Sequence, residues 1–258
     1  MATHQKMGRL NQKVCIVTGS GGAIGRAIAM TFAREGALVI GCDFNVEAGQ
    51  QTVDIVSEQG LQMVSFQPCD LTKPDQCKAL IDFTVQLYGR VDVLVNNAGK
   101  ALYKWMDEIT YDDWRKTMQH ELDIVFLTTV SAWPELTRNK GTIVNMASTA
   151  GYIAFKVLGG LAHCAAKGGI IAMTRQMAME GRKHGVRANS ISPGPIETPA
   201  TRRLSKDPVW SEAMTGKIMR GRLGQPHEIA AVALFLASEE SSFVNAADII
   251  ADGGATAW

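Results

Sequence analysis

The amino-acid sequence predicts an α/β fold: a doubly wound parallel sheet of about seven strands, with helices on both faces, in a single domain over residues 1–258. Three observations predict it. Short, continuously apolar runs recur along the chain, as expected of strands buried on both faces of a parallel sheet. Longer stretches with helical spacing separate them, and strand and helix alternate throughout, the order that parallel pairing requires. The first such unit, Val14 to Asp43, is a strand, a glycine-dense turn, a helix and a second strand that ends on a carboxylate.

Taken in order, Val14-Cys15-Ile16-Val17 is the first strand, followed by Thr18-Gly19-Ser20-Gly21-Gly22-Ala23-Ile24-Gly25. Glycines there permit a tight turn and let backbone N–H groups approach a pyrophosphate at a helix N-terminus. Arg26 to Gly36 is the helix and Leu38 to Cys42 the second strand. Asp43 follows, 18 residues after Gly25, where an acid can accept hydrogen bonds from a ribose diol. Together these steps describe a Rossmann-type dinucleotide site.

Val46–Glu58 is helical, and Leu61–Phe66 is a third strand leading to Cys69-Asp70-Leu71-Thr72. Pro74–Tyr88 is a helix with proline at a permitted first-turn position. Val91–Val95 is the fourth strand and runs into Asn96-Asn97-Ala98-Gly99. Trp114–Val130 is a long helix, Gly141–Met146 the fifth strand, and Ala147–Gly151 the turn after it. His163–Arg182 is helical and Val186–Ser192 is the sixth strand, followed by Pro193-Gly194-Pro195-Ile196-Glu197-Thr198. His227–Ala237 is a helix, and Ala247–Ala251 closes the sheet before Asp252-Gly253-Gly254. The polar, Lys/Arg-rich segment within 199–220 reads as a mobile lid or, equally, a surface helix.

Composition narrows the function. Charged residues make up 20% and net to +1, against the clustered basic surface that nucleic acid needs. No apolar run approaches a membrane span, and Met1–Lys13 is polar with no apolar signal core. Five cysteines, at 15, 42, 69, 77 and 164, form no C-x-x-C pair, which fits reduced thiols in a cytoplasmic protein. Cys15 and Cys42 fall inside strands and read as small core hydrophobes. The five histidines have no paired spacing, so no metal is expected.

These landmarks resemble the short-chain dehydrogenase/reductase family over nearly the whole chain, from about Leu10 to Gly254. They are Thr18-Gly19 with Ala23-Ile24-Gly25 (the family usually has Gly in place of Ala23), Asp70-Leu71-Thr72, Asn96-Asn97-Ala98-Gly99, Pro193-Gly194 with Thr198, and Asp252-Gly253-Gly254. By that resemblance Gly19, Ile24 and Gly25 hold a pyrophosphate, Asp43 takes the adenosine ribose, and Asp70 and Leu71 flank the adenine. Asn97 and Lys167 meet the nicotinamide ribose, with Gly99, Pro193, Ile196 and Thr198 completing the site. A carboxylate at position 43 repels a 2′-phosphate, and no Arg or Lys occupies 18–25 or 44–46. The expected cofactor is therefore NAD.

The catalytic pattern departs from the family's Asn, Ser, Tyr and Lys. Ser148 and Lys167 match. The Tyr expected one helical turn before the Lys is His163, and the Asn expected seven residues after Trp114 is Glu121. A free phenol has a pKa near ~10 and imidazole one near ~6.5, so His163 can be a base without strong activation. Lys167 one turn away disfavours a protonated ring; Glu121, if close, favours positive charge. These residues predict an alcohol oxidation with His163 as base and Ser148 orienting the substrate oxygen. Two other readings stay open: a redox-neutral elimination, hydration or dehalogenation around bound NAD, and a homologue or variant that has lost turnover. Tyr152 is a substitute acid or a pocket wall.

Lys100, Tyr103, Trp105, Ser148, Tyr152, Phe155 and the lid segment are the candidate substrate contacts, a mix that suggests a cyclic or aromatic secondary alcohol. Lys100 is either a solvated lysine or a contact for an anionic group. Met118, Leu122, Val125, Phe126, Met173, Met177 and Met179 put apolar groups on more than one face of two helices, and related enzymes pair those helices, so a homotetramer is expected.

Overall fold

A computed structural model describes residues 8–258. Residues 1–7, which carry half of the polar N-terminal stretch, lie outside the described residues. The elements in chain order are β1 Val14–Thr18, α1 Ala23–Arg34, β2 Leu38–Cys42, α2 Val46–Glu58, β3 Met63–Phe66, α3 Pro74–Tyr88, β4 Val93–Asn96, α4 Tyr111–Met118, α5 Ile124–Asn139, β5 Thr142–Met146, α6 Leu161–Gly181, β6 Arg187–Pro193, α7 Pro199–Leu204, α8 Pro208–Thr215, α9 Pro226–Ala237 and β7 Asp248–Ala251. The seven strands form one sheet in the order β3-β2-β1-β4-β5-β6-β7, and every pairing is parallel.

The sheet divides two apolar cores, and the strands feed them alternately, as the two-residue period of a strand dictates. In β1, Cys15 and Val17 join α1 and α9 on one face; Val14 and Ile16 join α3, α5 and α6 on the other. This explains why the strands carry no polar alternation. Strand order reverses between β2-β1 and β4-β5, which opens a crevice beyond the carboxyl ends of β1 and β4. The Gly19 turn and the Asn97 turn both empty into it. Among the described residues no helix is long and apolar enough to cross a membrane.

One expectation needs correction and two gain detail. The helix expected over Trp114–Val130 is α4 and α5 joined by a π-helical turn, Gln119–Asp123. It runs on to Asn139 through Pro134. Proline removes a helical hydrogen bond, but Ala132 and Leu136 on either side are fully buried against the second core, which holds the helix together. The segment expected as a lid or a surface helix is helical: it contains α7, capped by Thr198, and α8, capped by Asp207 with Pro208 at its first turn. Of the seven apolar residues expected on more than one face, Val125 belongs to the core, and Leu122, Met173 and Met177 pack against it. Phe126 and Met179 are exposed, joined by Val130.

Candidate active site

The crevice is a cleft of about 690 Å³. Its floor is the turn between β1 and α1. Gly19 has a positive φ of 65°, the left-handed region that glycine enters without strain. A side chain at Gly25 would lie 2.2 Å from Gly19 O and 2.6 Å from Asn97 Nδ2. Asn97 closes this knot by donating Nδ2 to Thr18 O at 2.9 Å, while its backbone N–H donates to Thr18 Oγ1 at 2.9 Å. The first turn of α1 has no capping side chain and no acidic residue, so its free N–H groups and the positive end of the helix dipole are available to an anion. The donor set thus fits a dinucleotide pyrophosphate.

Asp43 stands at the end of β2. Its Oδ2 accepts Gly21 N–H at 2.9 Å and its Oδ1 accepts Asn45 N–H at 2.8 Å, which fixes the carboxylate in the cleft wall. Arg26, just past the glycine turn, directs Nε to Thr52 Oγ1 at 3.0 Å and Nη2 to Gln51 Oε1 at 2.7 Å. Asp70 Oδ1 accepts both the N–H and the hydroxyl of Thr72. Burial works to raise the Asp70 pKa, but these bonds outweigh it and hold the group below its ordinary range.

Behind Gly99 in the cleft wall, where a Cβ would lie 3.8 Å from both Glu121 Oε1 and Lys167 Nζ, three buried side chains meet. His163 Nδ1 lies 2.7 Å from Glu121 Oε2. Lys167 Nζ lies 3.7 Å from Glu121 Oε1 and donates to Met146 O at 3.0 Å. His163 and Lys167 are one turn apart on α6, and Glu121 reaches them from the π-helical turn. The wider π turn displaces the following α5 register, and such insertions recur at functional sites. Burial lowers the Lys167 pKa, and the Glu121 charge opposes that shift. Phe155 lies parallel to the His163 ring at 6.1 Å between centroids, and Tyr103 is tilted against it at 5.5 Å. Tyr103 is half exposed, yet burial, with the Glu121 charge, pushes its pKa up to about 12. It is thus a neutral donor near the imidazole. Ser148 Oγ accepts Ala150 N–H at 3.1 Å, leaving the hydroxyl proton free to donate.

Gly19, Ile24, Gly25, Asp43, Asp70, Leu71, Asn97, Gly99, Thr198 and Lys100 all line the cleft. Pro193 and Ile196 do not, nor do Glu121, Ser148, His163, Lys167, Tyr103 and Tyr152. Ile196 packs under Gly224 and joins the core, on the wall of a separate cavity of about 340 Å³. Thr198 spends its hydroxyl capping α7 at Thr201 N–H. Tyr152 is placed away from the imidazole group: its hydroxyl donates to Asp248 Oδ2 on β7 at 3.0 Å. Trp105 is half exposed. Sequence reasoning missed the buried ladder in which Asn96 Nδ2 donates to Asn145 Oδ1 at 2.8 Å and Asn145 Nδ2 to Thr174 Oγ1 at 2.9 Å. It ties β4 and β5 to α6, and so sets the depth of His163 and Lys167. Each such bond contributes on the order of 1 kcal/mol, and an unpaired buried partner costs more. Two asparagines at the ends of neighbouring strands were its signal. Cys42, Cys69, Phe44 and His120 also line the cleft.

Comparison with known proteins agrees with this architecture. The family model described as enoyl-(acyl carrier protein) reductase matches residues 19–256. The chain is 39% identical to the uncharacterized oxidoreductase YxbG of Bacillus subtilis strain 168, over 98% of this chain and 94% of that one. It is 34% identical to the cyclopentanol dehydrogenase of Comamonas sp. strain NCIMB 9872, over 97% of this chain and 100% of that protein. The crystal structure of a short-chain type dehydrogenase/reductase from Mycobacterium marinum superposes with a TM-score of 0.90 at 31% identity, covering 96% of each chain. The chain belongs to the short-chain dehydrogenase/reductase family. It is an enzyme of that oxidoreductase class, whose members use a nicotinamide cofactor, NAD or NADP.

Proposed function

We propose that the protein is an NAD-dependent dehydrogenase that oxidises a cyclic or aromatic secondary alcohol to its ketone, with His163 as the general base. The observation that carries this reading is the 2.7 Å contact of His163 Nδ1 with Glu121 Oε2. A carboxylate only accepts, so Nδ1 bears the ring proton and Nε2 keeps its lone pair. Nε2 takes the proton of the substrate hydroxyl, and Glu121 stabilises the imidazolium that forms. Ser148 donates its free hydroxyl proton to the substrate oxygen and orients it. Lys167 has spent one of its three donors on Met146 O; another holds the nicotinamide ribose. Bound NAD supplies the hydride acceptor. Glu121 also balances the buried Lys167 charge, which otherwise opposes a second cation one turn away.

The choice of NAD is supported by Asp43, whose anchored carboxylate opposes a 2′-phosphate, and by Arg26, whose guanidinium is engaged on Thr52 and Gln51. The cyclic substrate is supported by the Tyr103 and Phe155 rings around His163 and by the likeness to a cyclopentanol dehydrogenase. Exposed Phe126, Val130 and Met179 on α5 and α6 support a homotetramer, testable as particle mass by light scattering. The free thiols support a cytoplasmic location.

The test is a panel of cyclic, aromatic and open-chain secondary alcohols offered with NAD and with NADP, following reduced nicotinamide by absorbance. Reduced NAD from cyclic alcohols is the expected result. Equal turnover with NADP removes the cofactor assignment, and substrate loss without reduced cofactor favours redox-neutral chemistry.

A further inference from the structure

Two cysteine–aspartate steps end neighbouring strands, and the mechanism uses only the aspartates. Cys42 closes β2 just before Asp43, and Cys69 lies beyond β3 just before Asp70. β2 and β3 pair in parallel with Cys42 opposite Phe66. Past the strand ends the two segments stay joined, because Cys69 N–H donates to Asp43 O at 2.9 Å. Each thiol perturbs the other, and both residues belong to one apolar cluster and line the wall of the dinucleotide cleft. A disulfide needs Cα atoms about 4.4–6.8 Å apart. Chains hydrogen-bonded side by side already run about 4.8 Å apart, so closure asks for little backbone movement.

The pair is also unequal. Interaction with Cys69 and complete burial push the Cys42 thiol up, and interaction with Cys42 pulls the Cys69 thiol down. Cys69 is also the less enclosed of the two, 2% exposed against 0%, so it is assigned as the attacking cysteine and Cys42 as the resolving one. The remaining cysteines lack such a partner: Cys15 is a fully buried core residue, Cys77 is hydrogen-bonded to Leu71 O and to Thr128, and Cys164 faces Ile153 O.

We propose that Cys42 and Cys69 form a redox-modification site, closed by a peroxide into a reversible disulfide beneath the adenosine end of the cleft, and that closure weakens dinucleotide binding. In the first step the Cys69 thiolate attacks a peroxide oxygen; the O–O bond breaks, one water leaves after protonation, and Cys69 becomes a sulfenic acid. Cys42 sulfur then attacks the Cys69 sulfur, the S–O bond breaks, and the Cys42 proton leaves with the hydroxyl as a second water. Two thiols are oxidised by two electrons and one peroxide is reduced to two waters. The two residues are 0% and 2% exposed, so the oxidant has to be as small as hydrogen peroxide, and a dinucleotide bound over this wall would shield them. Drawing the sulfurs together shifts Asp43 and Asp70, the next residue in each case. This inference rests on the reading of the cleft as the NAD site.

The test treats the full-length protein with hydrogen peroxide, with and without saturating NAD. Free thiols are then alkylated and the chain is cleaved after glutamate. Cuts at Glu47 and Glu58 separate Cys42 from Cys69, so a disulfide appears as linked fragments that part on reduction. NAD affinity is measured in parallel by fluorescence titration. The expected result is a Cys42–Cys69 link, a rise in the NAD dissociation constant of about tenfold or more, recovery with dithiothreitol, and protection by NAD. Cys69→Ser is expected to form no link and to keep its affinity after peroxide; the alkylation pattern of the wild type gives the same answer if that variant does not fold. Absence of the link, or a link that leaves NAD affinity unchanged, overturns the proposal. A reduced protein that does not bind NAD instead overturns the reading of the cleft.

Discussion

The two ends of the cleft are built differently. At the end we assign to the adenosine, the groups on offer are mostly backbone: the Gly19 turn, the free amides of α1, and the two N–H groups that hold Asp43. At the end we assign to the chemistry they are side chains: Glu121, His163 and Lys167, brought from a π-helical turn and one face of α6. Backbone chemistry is common to all residues, so the first end keeps its pattern while the second can change its reaction by changing side chains. Binding and chemistry should therefore separate under mutation.

The largest expected effect is at His163. His163→Phe keeps a flat ring beside Phe155 but has no base, and should lower kcat by roughly a thousandfold, within the range of a lost general base. NAD affinity, read by titration, should change less than about twofold. A variant with full turnover removes imidazole from the mechanism. Next is Glu121→Gln, which fits the space but no longer forces the proton onto Nδ1 or stabilises the imidazolium. Turnover should fall by on the order of a hundredfold, again with little change in NAD binding. Glu121→Leu should in addition destabilise the fold by about 3–5 kcal/mol, because it leaves the Lys167 charge buried and unpaired; thermal unfolding reads this.

Asp43→Asn is the converse experiment at the adenosine end. It should weaken NAD by roughly tenfold, the loss of a charge-assisted bond, and strengthen NADP, while kcat at saturation stays near wild type. A fall in kcat of the His163 kind would erase the distinction between the two ends. The smallest effect is expected far from both. The Arg222 side chain and then Gln225 N–H hold Glu228 at about 2 against an ordinary 4.5. A depressed carboxylate stabilises the fold above its unfolded value and loses that contribution as pH falls through the folded one. Melting temperature should thus decline from about pH 4.5 towards 2, and Glu228→Gln should flatten this slightly, since an exposed pair is worth less than about 1 kcal/mol. Activity at neutral pH should not follow.

Much of this was legible before any coordinates. The apolar runs marked all seven strands because both faces of the sheet are covered, and the spacing of Gly19, Gly25 and Asp43 marked the cleft because a turn, a helix start and a strand end lie close in sequence. The His163–Lys167 pair was legible for the same reason, one turn of one helix. Glu121 could be suspected only as an out-of-place residue. Its contact with His163 crosses 42 positions and depends on a π turn that no apolar spacing announces. Tyr152 misled for a related reason: its position in the chain suited the pocket, but Asp248, 96 residues away, holds its hydroxyl elsewhere. Ile196 sits beside cofactor landmarks in sequence, yet it bridges to Gly224 and packs into the core.

By itself, then, the sequence determined the parallel sheet, the glycine turn with its nearby acid, and the presence of His163 and Glu121 where the family resemblance expects Tyr and Asn. These follow from local backbone chemistry and from periodicity, which neighbouring residues decide among themselves. Only the tertiary structure decided that Glu121 joins His163 to Lys167 through its two oxygens, that the asparagine ladder ties α6 to the sheet, and that Cys69 is hydrogen-bonded beside Asp43 in the cleft wall. Those contacts depend on ångström-scale distances between segments far apart in the chain, and only the packing of the whole sheet sets such distances.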